Sequence, residues 1–265
     1  MGAVARLRRR LGERVFWTLF TVVNLTLFFV GWELFARSGV VSSLFLPEPT
    51  RMWTALVDEF SRGDLWGHLG YSARNFAIGV LLAIVIGVPL GLAAGSNRLF
   101  YRLLSPYIWG MSSVPRIAWL PLLILIFGFS EMSKLILIFI SAVFPMIING
   151  LAGVKTVDRT LLTAGKVFGA KWRHRYVMIV LPHALPYIVS GFKQGMTRAL
   201  AAVVVSEMFG GSQGIGFVIV MAGQRFNVAL LYALLVFIVL AALVIVAVVD
   251  RLERRLAPWR TQVAI

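Results

Sequence analysis

The sequence has no cysteine, so disulfides, iron–sulfur clusters and thiolate zinc sites have no ligands to form from. Its three histidines, His68, His174 and His183, are too scattered along the chain for an imidazole metal site. Charge is scarce too: 14% of residues are charged, against about 25% in ordinary soluble domains. Acidic side chains are the scarcest, 11 against 26 Lys and Arg, which leaves a formal net charge of +15. The G-x4-G-K-[ST] phosphate loop is missing, because Gly165-Lys166 lacks the upstream glycine. A membrane enzyme would need a nucleophile–base or metal cluster at one membrane face, and these absences leave little to build one from.

What fills the chain instead is apolar. Hydrophobic residues make up 59% of it and the mean hydropathy is +0.86, an excess that asks for lipid and not for a larger core. A helix needs about 20 mostly apolar residues to cross the hydrocarbon layer. Six stretches qualify, at residues 15–35, 75–97, 103–129, 135–154, 186–208 and 226–249. The basic start from Arg6 to Arg14 precedes an apolar run too long for a signal-peptide core, so that run reads as the first span. The third stretch contains Arg116. A central Arg costs about 2.5–3.5 kcal/mol on insertion scales, and each Leu, Ile or Phe returns about 0.3–0.6. The eight such residues from Ile117 to Phe127 balance the Arg, with Pro115 and Pro121 expected to break or kink the span. The Gly87, Pro89 and Gly91 cluster in the second span suits close helix packing or a kink.

The basic residues follow the positive-inside rule if both termini are cytoplasmic. Inner segments then hold Arg6, Arg8, Arg9, Arg10, Arg14, Arg98, Arg102, Lys155, Arg159, Lys166, Lys171, Arg173, Arg175, Arg251, Arg254, Arg255 and Arg260. Outer segments hold Arg37, Arg51, Arg62, Lys134 and Arg225, with Arg74 at the outer edge of the second span. Spread among loops and tails, these charges form no single face for nucleic acid, and none is expected as a partner.

Two loops are long enough to carry structure. In the outer one, Leu46-Pro47-Glu48-Pro49 precedes a helical pattern with Met52, Trp53, Leu56, Val57 and Phe60 on one face. In the inner one, residues 153–185, Asp158 is placed to cap a helix from Arg159 to Phe168, and Gly169 to end it in a left-handed conformation. A second short helix is expected from Ala170 to about Val180, stopped by Leu181-Pro182. The product is a basic, knob-like helix–turn–helix. It either docks a soluble protein or rests on anionic lipid headgroups.

The stretch Thr163-Ala164-Gly165-x3-Gly169-x9-Ile179-Val180-Leu181-Pro182 resembles the EAA loop, E-A-A-x3-G-x9-I-x-L-P, of importer permeases of the ATP-binding-cassette class. Thr163 stands where Glu is usual and Gly165 where Ala is usual. Leu46-Pro47-Glu48-Pro49, Val114-Pro115-Arg116-Ile117-Ala118-Trp119-Leu120-Pro121-Leu122, Phe127-Gly128-Phe129, and Ser206-Glu207-Met208-Phe209 with Gly214-Ile215-Gly216 are similar, in order, to elements of the nitrate/sulfonate/taurine branch.

The resemblance implies an all-α permease that works as a dimer, with a homodimer expected, and encloses one pathway for a small anion such as a sulfonate or nitrate. A cytoplasmic ATP-binding-cassette ATPase dimer would supply energy, with ATP and magnesium bound there and no cofactor bound by this chain. An extracytoplasmic binding protein would deliver substrate. Thr163, Ala164, Gly165, Gly169, Ala170, Lys171, Trp172, Ile179, Leu181 and Pro182 are the residues it implies for coupling to the ATPase. The expected place is a bacterial plasma (inner) membrane.

The pathway is read from the residues themselves. In the fifth span Ser190, Gln194, Thr197, Arg198 and Ala201 recur at helical spacing, with Lys193 beside them. Either this polar stripe lines a pore, or Lys193 snorkels to the interface and Arg198 pairs with a carboxylate. Arg116, beside Pro115, sits either at a broken span that lines the pathway or at a structural kink. Glu207 either gates the outer mouth or closes a salt bridge. Gly210 to Gly216 reads as a turn or re-entrant segment, and His183 as an interface residue. The rival from another class is an ion-driven secondary transporter, which would need inverted repeats and intramembrane carboxylates. No repeat is evident, and the carboxylates in spans, Glu33 and Glu207, lie near the ends.

Overall fold

The computed structural model describes residues 13–256. Arg6, Arg8, Arg9, Arg10 and Arg260, used above for orientation, lie outside the described residues. The helices are α1 (Glu13–Arg37), α2 (Pro49–Arg62), α3 (Asp64–Ser96), α4 (Arg98–Ser113), α5 (Trp119–Phe127), α6 (Glu131–Lys155), α7 (Arg159–Val167), α8 (Trp172–Arg175), α9 (Leu181–Gly210), α10 (Ile215–Gln224) and α11 (Val228–Leu256). No strand occurs among the described residues. Five of the described helical stretches are long and apolar enough to cross a membrane, and a bent pair makes a sixth.

That bent pair is the expected third span, and it is not one straight helix. Arg98–Ser113 and Arg116–Phe127 meet at 92°. Pro115 forces the residue before it away from helical geometry, and Val114 is extended at φ −74°, ψ 131°. A three-residue 3-10 turn, Arg116–Ala118, then restarts the chain in a new direction. A balance of insertion energies counts side chains and is blind to such a turn.

The fifth span also differs from expectation. Leu181-Pro182 stops nothing: one stretch runs from Trp172 to Phe209, well before Pro186. Tyr176–Val180 forms a π turn in which the Leu181 N–H reaches back to the Tyr176 carbonyl. The widened turn makes room for the ring of Pro182, which would otherwise collide with the carbonyl one turn earlier. The sixth span starts at Val228, not 226, because Phe226 takes a left-handed φ of 55°.

The chain divides into two compact units. In the first, which includes α1, α2 and Met221–Val236, α2 is tied down by Glu33. Its carboxylate accepts from the Thr50 amide at 3.1 Å and the Thr50 hydroxyl at 2.8 Å, and from Arg37 Nε at 2.6 Å. Glu48, at the N-cap position, makes no side-chain cap of its own, so α1 supplies it. Met52 is buried and Leu56 and Phe60 half-buried, while Trp53 and Val57 of the expected apolar face point outward. Most of α1 is uncovered, with Leu27 67% and Leu34 65% exposed, as suits a helix facing lipid.

The second unit is built around α6, whose Leu137, Ile138, Ala142, Met146 and Ile147 are buried. α3 and α9 both pack on it, and glycines set the spacing. A Cβ at Gly91 would stand 3.0 Å from Ile147 Cα, and one at Gly87 3.1 Å from the Val143 carbonyl. On α9, a Cβ at Gly195 would stand 2.9 Å from the Ala142 carbonyl and one at Gly191 3.0 Å from that of Pro145. Without a hydrophobic drive between helices in lipid, such close backbone approach is what holds them together.

Glu33→Ala should release α2. The Thr50 amide then loses its acceptor, at a cost of about 1 kcal/mol. Hydrogen exchange across Pro49–Arg62 should rise, with that of α6 unchanged.

Candidate transport pathway and docking loop

The inner loop folds as its caps dictate. Asp158 is extended, and its carboxylate accepts from the Thr160 amide at 2.7 Å. That bond holds the Asp158 carboxyl below the usual carboxylate range. At the other end of α7, Gly169 has φ +77°. The Ala170 amide donates to the Gly165 carbonyl at 2.9 Å and the Gly169 amide to the Lys166 carbonyl at 3.0 Å. These two bonds make a Schellman cap, which a residue with a Cβ would strain. Thr163 turns its hydroxyl back to the Arg159 carbonyl at 2.9 Å.

α7 folds back over the segment that follows it. A Cβ at Gly165 would stand 3.2 Å from Arg175 Cγ and 3.3 Å from Ile179 Cδ1, so the small residue keeps the two arms close. Trp172 stacks on Tyr176 with ring centroids 5.4 Å apart. The turn presents Val167 and Phe168 outward, Phe168 being 88% exposed, between Lys166 and Lys171. Leu181 and Pro182 lie at the start of α9, beyond the knob. His183 contacts the Thr156 hydroxyl at 3.3 Å and the Tyr187 ring, tying the end of α6 to α9.

Along α9 the two faces differ. Gly191, Gly195, Ala199 and Ala202 are buried, while Gln194, Thr197, Arg198 and Ala201 are exposed. Ser190 is half-buried and bonds the Pro186 carbonyl at 2.9 Å. Lys193 is paired, its Nζ lying 2.6 Å from Asp250 Oδ1 on α11. Asp250 was not singled out from the sequence, although it is the first charge after the last apolar run. Arg198 faces a cavity of about 230 Å³ lined also by Arg116, Ile117, Leu137, Ser141, Ala201, Ala202 and Val205. Arg116 Nε is buried with no hydrogen-bond partner. The break at Pro115 thus brings Arg116 and Arg198 to one hollow, where they repel each other. Two Arg at membrane depth together cost about 5–7 kcal/mol on insertion scales.

Glu207 lies at the far end of α9, 1% exposed. Its Oε2 accepts from Ser72 Oγ at 2.8 Å and from the Gly216 amide at 3.1 Å. The Ile215 amide donates to Ser72 Oγ at 2.9 Å and the Gly214 amide to His68 Nδ1 at 3.1 Å. Three side chains thereby cap the N-terminus of α10, which the Gly210–Gly216 turn feeds. Lys134, buried and bonded to Tyr71 Oη at 3.1 Å, adds a favourable charge near Glu207. His68 and Ser72 were not singled out from the sequence, yet with Asn75 they fall four and three residues apart, on one face of α3.

Glu207→Gln keeps an acceptor for these donors and should leave the melting temperature nearly unchanged. Glu207→Ala strands the Ser72 hydroxyl and the Gly216 amide. It should cost about 2–3 kcal/mol, a drop of several degrees in a thermal melt of the detergent-purified protein.

Comparison with known proteins agrees with this architecture. Residues 87–262 match the family model for the binding-protein-dependent transport system inner membrane component. Over 229 residues the chain is 34% identical to the putative aliphatic sulfonates transport permease protein SsuC of Bacillus subtilis (strain 168), covering 86% of this chain and 83% of that protein. It is 30% identical over 237 residues to the taurine transport system permease protein TauC of Escherichia coli (strain K12), covering 88% of this chain and 86% of that one. An inward-facing structure of the MetNI methionine ABC transporter shares the fold, with a TM-score of 0.62 at 19% identity over 72% of this chain and 97% of that chain. Spans, fold and sequence together make this chain a member of the binding-protein-dependent transport system inner membrane component family, a permease subunit of an ATP-binding-cassette importer.

Proposed function

We propose that this permease imports a small anion, a sulfonate or a related oxyanion, and that α7 and the turn after it are its ATPase-docking element. The names of the two relatives support the substrate class: one is named a putative aliphatic sulfonates permease and the other a taurine permease, and taurine is itself a sulfonate. Two copies of the chain enclose one pathway, with both termini in the cytoplasm. A binding protein delivers substrate on the opposite side. ATP and magnesium bind the partner ATPase and not this chain.

The observation that carries the docking reading is the rigid turn at Gly169, which holds Phe168 88% exposed between two lysines. An aromatic anchor ringed by cations suits a groove with an apolar floor and an acidic rim. Residues Ala164 to Trp172 form the contact. ATP binding and hydrolysis move the element, and α8, which follows its turn and runs through the π turn into α9, carries the motion to Gln194, Thr197 and Arg198. Those side chains, with Arg116, line the route.

Purification of the tagged permease from its native membrane in mild detergent tests the docking element. The wild type should bring a stoichiometric ATPase. Phe168→Asp, at an exposed site, and Gly169→Pro, which cannot adopt φ +77°, should each lose it while remaining monodisperse on gel filtration. An ATPase retained by both variants would place the docking surface elsewhere.

A further inference from the structure

We propose that Arg116 and Arg198 form one anion station within the membrane, which binds the oxyanion headgroup of the substrate between two guanidinium groups. The identity of the ligand rests on the importer reading above; the station itself rests on the cavity.

The cavity lining holds two arginines and no carboxylate. Lys193, the other cation of the stripe, is already neutralised by Asp250, and Lys134 sits near Glu207. Arg116 and Arg198 stand apart from both pairings. The Nε of Arg116 is buried with a proton to donate and no acceptor to receive it. Two like charges facing one hollow push each other apart, and an anion between them would convert that repulsion into two attractions.

Chemistry and size narrow the ligand. Guanidinium donors match the oxygens of sulfonate or nitrate in bidentate fashion, which a lysine would not. At about 230 Å³ the hollow is smaller than the ~300–1,000 Å³ of drug-sized sites, so it suits a small ion or a headgroup with a short tail. The apolar Ile117, Leu137, Ala202 and Val205 around it give a short alkyl chain a surface to pack on. The Pro115 break has a purpose in this scheme: a straight third span would leave the backbone at Arg116 helical and give it no fixed turn from which to meet α9.

The test uses the full-length permease in nanodiscs of zwitterionic lipid, melted with methanesulfonate, nitrate or chloride at constant ionic strength. Methanesulfonate and nitrate should stabilise the wild type in a saturable way that chloride does not, and Arg116→Gln and Arg198→Gln should each abolish the shift. Each variant should also melt at or above the wild type without added anion, because one member of a repelling pair is gone. Purely structural arginines would melt lower. Stabilisation by anionic lipid alone, or an undiminished shift in the double variant, would overturn the station. In proteoliposomes of the complete complex, ATP-driven methanesulfonate uptake should fall at least tenfold in R116Q/R198Q. If the wild-type complex takes up no anion while the arginine-dependent shift persists, the anion-import reading fails and the station stands. If uptake survives in the double variant and no shift is seen, the station fails and the importer stands.

Discussion

The distance between backbones along α6 is the constraint from which the rest of the second unit follows. α3 and α9 reach it through Gly87, Gly91, Gly191 and Gly195, at positions where even a methyl group would meet a carbonyl or a Cα. Close packing of this kind gives a bilayer protein the dispersion contacts that water would otherwise enforce through the hydrophobic effect. It also removes freedom of rotation. Once the glycine faces of α3 and α9 are committed to α6, the polar faces of both helices are fixed as well.

Those polar faces make the functional geometry. With Gly191 and Gly195 turned inward, Gln194 and Thr197 are exposed, and Arg198 borders the hollow that Leu137 and Ser141 of α6 also line. With Gly87 and Gly91 turned inward, the first turns of α3 bring His68 and Ser72 to the end of α9, where Glu207 joins them at the start of α10. At the opposite end α9 passes without a stop into the π turn and α8, and the capped turn at Gly169 joins α8 to α7.

Much of this was legible in the sequence because its causes are local. Apolar runs found the spans, Asp158 and Gly169 bounded α7, and Gly87 and Gly91 marked a close contact. What escaped depends on geometry or on distant partners. Pro115 announced a break but not the 92° turn, since hydropathy counts residues and has no direction. Leu181-Pro182 read as a stop because the π turn that accommodates it leaves no compositional trace. The Lys193–Asp250 pair joins residues 57 apart and the Ser72–Glu207 bond residues 135 apart, so neither could be inferred from spacing. Arg116 and Arg198 were each visible as intramembrane charges; that they share a cavity was not.

The claim that glycine-mediated contact with α6 organises this unit is tested most directly by one thermal-melt comparison in detergent. Gly91→Leu and Gly195→Leu each drive a side chain into α6, whereas Gly31→Leu, on α1, meets nothing within 4 Å. Overpacking of that kind costs about 1–3 kcal/mol or more. The account predicts a marked loss of melting temperature or of folded protein for the first two and none for the third. Equal tolerance of all three would contradict it.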